Sequence, residues 1–292
     1  MASRLAEKER AIIRELHDAV ERKDVTRLRH LLPSDGDAAK RLCSIELKPY
    51  GNLLHHAAGI GDLDTVKVIL DTGIDVNGRH VDSDVTQAQT ALHIAALAGR
   101  CDVIDALLSR GADADAHESE GLTPLHCACS GNDVQSVRSL IDAGAQVNAA
   151  DSKGQLPIQR SVLRSSDDVI LELISRGADI HVVDEHKQTL LHYAVEWERE
   201  EFIQKFIESG LSPNARDTDG KTPLHLAEND RIRILLIQKG ADADLRDEKG
   251  KRAIERKVDT QSDDYRRIRD MLEKQLSVAD PSELPEPSVG EI

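Results

Sequence analysis

Histidine and cysteine are the side chains in this sequence best suited to chemistry, and both fall in patterns. His126, Cys127 and Cys129 stand together in "HCAC". Imidazole and thiolate both bind zinc, so this cluster is the first candidate for a metal centre. On a helix only residues three or four apart share a face. His126 and Cys129 could meet, Cys127 would point elsewhere, and no second cluster completes a tetrahedron. The expectation is therefore no metal, with the thiols buried as small apolar side chains. The histidines as a set argue against catalysis, because they recur. His93, His126, His192 and His225 are spaced by 33 residues or multiples of 33, Gln159 fills the vacant slot, and His55 precedes His93 by 38. A catalytic group needs one unique set of partners. A residue required in every unit holds neighbouring units together, here through hydrogen bonds to a hairpin backbone. No Gly-rich phosphate loop, nucleophile elbow or His-Glu-x-x-His motif is present. The sequence reads as no enzyme and implies no cofactor.

The elements that place these histidines are legible in the same frame. "TALHIAALAG", "TPLHCACSGN" and "TPLHLAEND" begin at Thr90, Thr123 and Thr222. Threonine can N-cap a helix by accepting an orphan backbone N–H. Pro124, Pro157 and Pro223 then occupy the first helical position, where no N–H is missed. Leu92, Leu125, Leu191 and Leu224 point inward, and pairs such as Ala57-Ala58 and Ala95-Ala96 let neighbouring helices approach closely. Gly61 and Gly99 close the short helix in a left-handed conformation, and Asn132 replaces them in one unit. A second helix follows, as in "VIDALLSRG", with apolar residues at helical spacing. Its closing glycine falls 18 residues after each origin: Gly73, Gly111, Gly144, Gly177 and Gly210. After His225 this interval is three residues short.

Helix–turn–helix units of 33 residues, with Thr-Pro-Leu-His openings and Gly-Ala-Asp-x-Asn endings, resemble the ankyrin repeat family. The resemblance spans residues 45–250 and implies an all-α ankyrin-repeat solenoid of about six units, capped at both ends. Residues 1–44 read as an N-terminal helical cap, "LHDAVERKDVTRLRHLL" forming a helix pair. Residues 251–276 read as C-terminal capping helices. Residues 277–292, with three prolines and no Lys or Arg, read as a disordered acidic tail.

Such an array is expected to bind a protein partner through its concave face; the alternative is a regulatory subunit, inhibitor or substrate adaptor acting on a partner enzyme. The resemblance places contacts just before the glycine of each first helix: Ile60, Leu97, Leu163 with Arg164, and Glu196 with Trp197. It places others at the hairpin tips: His117, Glu120, Lys153, Glu185, His186, Arg216, Asp219 and Lys221. Tyr193, Trp197, Phe202 and Phe206 are four of the chain's six aromatics. Trp197 is either a binding hot spot or packing against the adjacent unit; Tyr193, Phe202 and Phe206 read as interior. The finger at 77–89 is longer than its siblings and carries Asp82 and Asp84, either as a binding loop or as a tolerated insertion. Asn77, Asn148 and Asn214 end their units. In the ankyrin family such asparagines can be hydroxylase substrates, although bonding a turn explains their presence.

Bulk properties bound the partner. The net charge of −15 opposes general nucleic-acid affinity and docking on an anionic membrane. It favours a protein partner, basic or neutral. Aromatics at 2 % suit thin, closely packed helices better than one large core. Cys43, Cys101, Cys127 and Cys129 match no disulfide framework, and the N-terminal stretch lacks the apolar core of a secretory signal. The compartment expected is therefore cytoplasmic or nuclear, and the default oligomeric state is a monomer.

Overall fold

The computed structural model describes residues 2–46, 50–82, 85–164 and 167–253. Its contacts divide the chain into two units, Met1–Val182 and Val183–Ile292. The expected acidic tail, almost all of the expected C-terminal cap, Asp84, and the side chains of Asp82 and Arg164 lie outside the described residues.

The first unit opens with helices α1 (Ala2–Glu21), α2 (Val25–Leu31) and α3 (Gly36–Ser44). Asp24 starts α2 by accepting the Arg27 N–H at 2.9 Å, and Asp35 starts α3 by accepting that of Asp37. Leu16, Ala19, Val20 and Leu28 are buried, so α1 and α2 contribute side chains to the core. Four helix pairs follow: α4 (Leu53–Ile60) with α5 (Leu63–Leu70), α6 (Ala91–Leu97) with α7 (Cys101–Ser109), α8 (Pro124–Gly131) with α9 (Val134–Asp142), and α10 (Pro157–Arg164) with α11 (Asp167–Ser175). The second unit carries α12 (Leu190–Glu196) with α13 (Glu200–Glu208), then α14 (Pro223–Leu226) with α15 (Asp230–Gln238).

Each pair is built as the sequence dictates. The prolines at 124, 157 and 223 are the first helical residues. Gly61, Gly99 and Asn132 take φ of 79°, 65° and 60°, the left-handed turn between the two helices. Leucines 54, 92, 125, 191 and 224 are at most 1 % exposed, and the alanines at 57, 58, 95 and 96 are fully buried.

Two departures follow the irregular spacings. The five extra residues before His93 make a hairpin, β1 (Arg79–Asp82) and β2 (Val85–Thr90), pairing Arg79 with Thr90 and His80 with Gln89. The three residues missing after His225 come out of the first helix. Helix α14 stops at Leu226, and Asn229 already caps α15, accepting the Arg231 N–H at 2.9 Å.

Small residues set the distance between first helices. A Cβ placed on Gly131 would lie 2.5 Å from the Leu97 carbonyl oxygen, a backbone atom with no room to yield. Gly131→Ala is expected to cost ~1–3 kcal/mol. Thermal or urea unfolding checks this; an unchanged midpoint would show that α6 and α8 can separate without loss.

Candidate protein-binding surface

The motif histidines stitch each unit to the turn that follows. In α6, Thr90 and His93 form a capping box: the Thr90 N–H donates to His93 Nδ1 at 3.3 Å, and Thr90 Oγ1 lies 2.8 Å from the same nitrogen. Because Nδ1 accepts, the proton sits on Nε2. His93 Nε2 then donates to the Leu122 carbonyl at 3.0 Å. His126 does the same with Thr123 and the Gln155 carbonyl, His192 with Thr189 and the Lys221 carbonyl, and His225 with Thr222 and the Lys251 carbonyl. His55, behind an Asn52 cap, faces the carbonyls of Gly78 and Gln89, both at 3.1 Å. Burial holds His55, His93 and His126 down to a pKa of about 4, and lowers His192 as well. These rings are neutral ties between backbones.

A second ladder, not recognised in the sequence, shapes the fingers. Glu118, Asp151, Asp184, Asp217 and Asp247 each open a tight turn. One carboxylate oxygen accepts the N–H groups two and four residues on, as Asp184 does from His186 and Gln188 at 2.9 and 2.7 Å. The residue after the histidine slot takes the other oxygen in two units: Arg160 pairs with Asp151 at 3.2 Å, and the Tyr193 hydroxyl donates to Asp184 at 2.6 Å. The signal was available, since these acids recur at 33 residues until the deletion shortens the last step. Backbone bonds join adjacent tips, Ser152 N–H to the Glu120 carbonyl and Thr218 N–H to the His186 carbonyl.

The asparagines are a third tie. Asn77 Nδ2 donates to the Gly111 carbonyl at 3.2 Å, and its Oδ1 accepts the Asp113 N–H at 2.9 Å. Asn148 bridges Gly177 and Asp179 in the same way, and Asn214 bridges Gly240 and Asp242. Both ends of each amide are committed to the next unit.

On this scaffold the expected contact residues divide by exposure. In the first unit, Leu97 is 48 % exposed, Ile60 and Leu163 are half-buried, and His117, Glu120 and Lys153 are exposed at tips. In the second unit, Trp197 is 52 % exposed beside an exposed Glu196, while Tyr193, Phe202 and Phe206 are buried. Glu185, His186, Arg216 and Asp219 are exposed at tips, and Lys221 is half-buried, its ammonium 2.7 Å from Asp219. A cavity of about 420 Å³ lies between Lys221, His225 and Leu226 on one side and Asp247, Lys249, Lys251, Arg252 and Ala253 of the following turn on the other. The fingers of this unit therefore present both signs of charge.

The cysteines are poor ligands as placed. Burial pushes Cys43 up to about 11 and Cys127 up to about 12, and raises Cys129 further. Both ring nitrogens of His126 are already bonded. No group of three potential metal ligands occurs among the described residues, nor any helix long and apolar enough to cross a membrane.

Comparison with known proteins agrees with this geometry. A family model described as ankyrin repeats (three copies) matches residues 16–118, 110–184 and 161–247. Serine/threonine-protein kinase 12 of Arabidopsis thaliana is 39 % identical over 71 residues, 24 % of this chain and 14 % of the kinase. The E3 ubiquitin-protein ligase hecd-1 of Caenorhabditis elegans is 32 % identical over 108 residues, 37 % of this chain and 4 % of the ligase. The chain thus spans a small part of either relative. Among solved structures, the ankyrin repeat domain of human ASB11 matches with a TM-score of 0.66 at 26 % identity, covering 75 % of this chain and 96 % of that one. The ankyrin repeat domain of Bcl-3, described as a unique member of the IkappaB family, matches with a TM-score of 0.60 at 25 % identity, covering 75 % and 97 %. The chain belongs to the ankyrin-repeat family, whose domains are protein–protein interaction modules.

Proposed function

We propose that the chain acts by holding a partner protein against the exposed first-helix ends and finger tips of its repeats, without catalysing a reaction itself. The observation that carries this reading is Trp197. It is the chain's single tryptophan, and half of it is left in water while its aromatic neighbours are buried. Tryptophan is enriched among the few residues that dominate binding energy. Leu97 offers a second exposed apolar contact in the first unit. His117, Glu120 and Lys153 there, and Glu185, His186, Arg216, Asp219 and Lys221 in the second unit, supply the polar rim. The partner suited to a chain of net charge −15 is basic, and steered association with it slows as salt rises. The four free cysteines and the absence of a disulfide pattern support a reducing compartment.

The test is quantitative capture. Immobilised chain is incubated with lysate, and retained proteins are identified by mass spectrometry beside a Trp197→Ala control. The variant is expected to weaken the specific partner by ~2 kcal/mol or more. Equal retention by a folded Trp197→Ala chain, judged by circular dichroism, would sink the hot-spot assignment. A change in the partner's own activity on binding would favour the regulator form of the reading.

A further inference from the structure

Trp197 sits beside a break in the repeat pattern, where a glutamate stands in the left-handed position of the turn. The residue that caps α12 is Trp197 itself, flanked by Glu196, the last helical residue, and by Glu198. Glu198 occupies the left-handed position, φ 54°, that sibling units give to Gly61, Gly99 and Asn132. A carboxylate-bearing side chain is thus held in a conformation that residues other than glycine seldom adopt. Glu196 and Glu198 are exposed and make no side-chain hydrogen bond or ion pair with any described residue. Arg231, a cation of the next helix pair, is already engaged by Glu200 at 3.0 Å. The carbonyl end of α12 adds the negative end of a helix dipole at the same spot.

Three features therefore favour a positive charge here: an exposed indole face, two uncompensated carboxylates and a helix C-terminus. An apolar partner residue would fit Trp197 equally well without the glutamates. We infer that Trp197, Glu196 and Glu198 form a receptor for one arginine side chain of the partner, the guanidinium stacking on the indole with its N–H groups directed at the carboxylates. Arginine fits because its planar, weakly hydrated cation stacks on aromatic rings and offers several donors at once. This deepens the protein-binding reading and rests on it.

The single tryptophan makes the test local, because all indole emission comes from this site. The full chain is titrated with the peptide Ac-Gly-Arg-Gly-NH2 and, at matched ionic strength, with its citrulline counterpart, which keeps the shape and loses the charge. The arginine peptide is expected to change the emission saturably, with the citrulline peptide at least about fivefold weaker. Glu196→Gln with Glu198→Gln should weaken the arginine response by about fivefold. Glu198→Gly should weaken it too while raising Tm by ~2–4 °C, because it relieves the backbone. Equal responses to the two peptides, or an unchanged response in the double Gln variant, would overturn the assignment. A chain that captures its partner through Trp197 yet shows no arginine-dependent change keeps the interaction reading and loses this one.

Discussion

His126→Ala is expected to cost ~3–5 kcal/mol and to melt the centre of the first unit before its ends. The ring is fully buried and ties two backbones, accepting from Thr123 at Nδ1 and donating to the Gln155 carbonyl at 3.0 Å. Alanine leaves the Thr123 N–H without a partner, a penalty of ~1–3 kcal/mol, strips the Gln155 carbonyl of one of its two donors, the Asp151 N–H remaining at 2.9 Å, and adds a cavity where the buried ring stood. In repeat proteins the loss falls on the interface between neighbours, so unfolding loses cooperativity as well as midpoint. The chain carries its own control. At Gln159, in the histidine slot of α10, Oε1 accepts the Leu156 N–H at 2.7 Å, but Nε2 is buried with no hydrogen-bond partner. Glutamine thus performs the capping half of the task only. His126→Gln should cost about half as much as His126→Ala. Urea unfolding of both variants, with hydrogen exchange at the Gln155 turn, measures the difference. Equal losses would show that capping contributes nothing and that the bond to the next turn carries the whole effect.

What could be read in advance, and what could not, follows the same physics. Thr-x-Leu-His announced itself because one chemical task, joining a cap to the next turn, is repeated with one residue type. Phase alone then located caps, prolines and closing glycines. The finger acids were as periodic, but they recur as Glu118, Asp151 and Asp184 within a chain of 53 acidic residues. Their identity does not stand out until the turn N–H groups are seen to converge on them. The exposure of Trp197 was open in the sequence for a different reason. Burial at a helix end depends on what the neighbouring unit presents, and there the next first helix is cut short at Leu226. The strained Glu198 was hidden because φ is a property of the turn, visible only once Gly61, Gly99 and Asn132 are superposed on it by their shared place in the repeat.

Three of these histidines, with His17 of α1, make the fold acid-labile above the range in which carboxylates titrate. His17, His55, His93 and His126 each fall from an ordinary 6.5 to about 4, chiefly because burial penalises the charged ring. His17 is further opposed by His56, whose Nδ1 lies 2.9 Å from its own. The unfolded chain therefore binds more protons than the folded one between pH 6.5 and 4. Stability is then full above 6.5 and declines as pH falls through that window. Between pH 7 and 5 each ring forfeits ~2 kcal/mol, and the four together ~7 kcal/mol. That is comparable with the whole stability of an ordinary domain, ~5–15 kcal/mol. His56 and His192 are lowered in the same direction and add to the loss. The depressed carboxylates Glu208, Asp219 and Asp247 act only at lower pH, because their ordinary values are 4.5 and 3.8. Urea midpoints at pH 7, 6 and 5 should drop steeply, and unfolding at pH 5 should take up nearly four protons, measured by calorimetry in buffers of different ionisation heat. A midpoint flat from pH 7 to 5 would mean that the rings accept protons in place, and that the ladder is not the neutral, buried set of backbone ties on which the fingers depend.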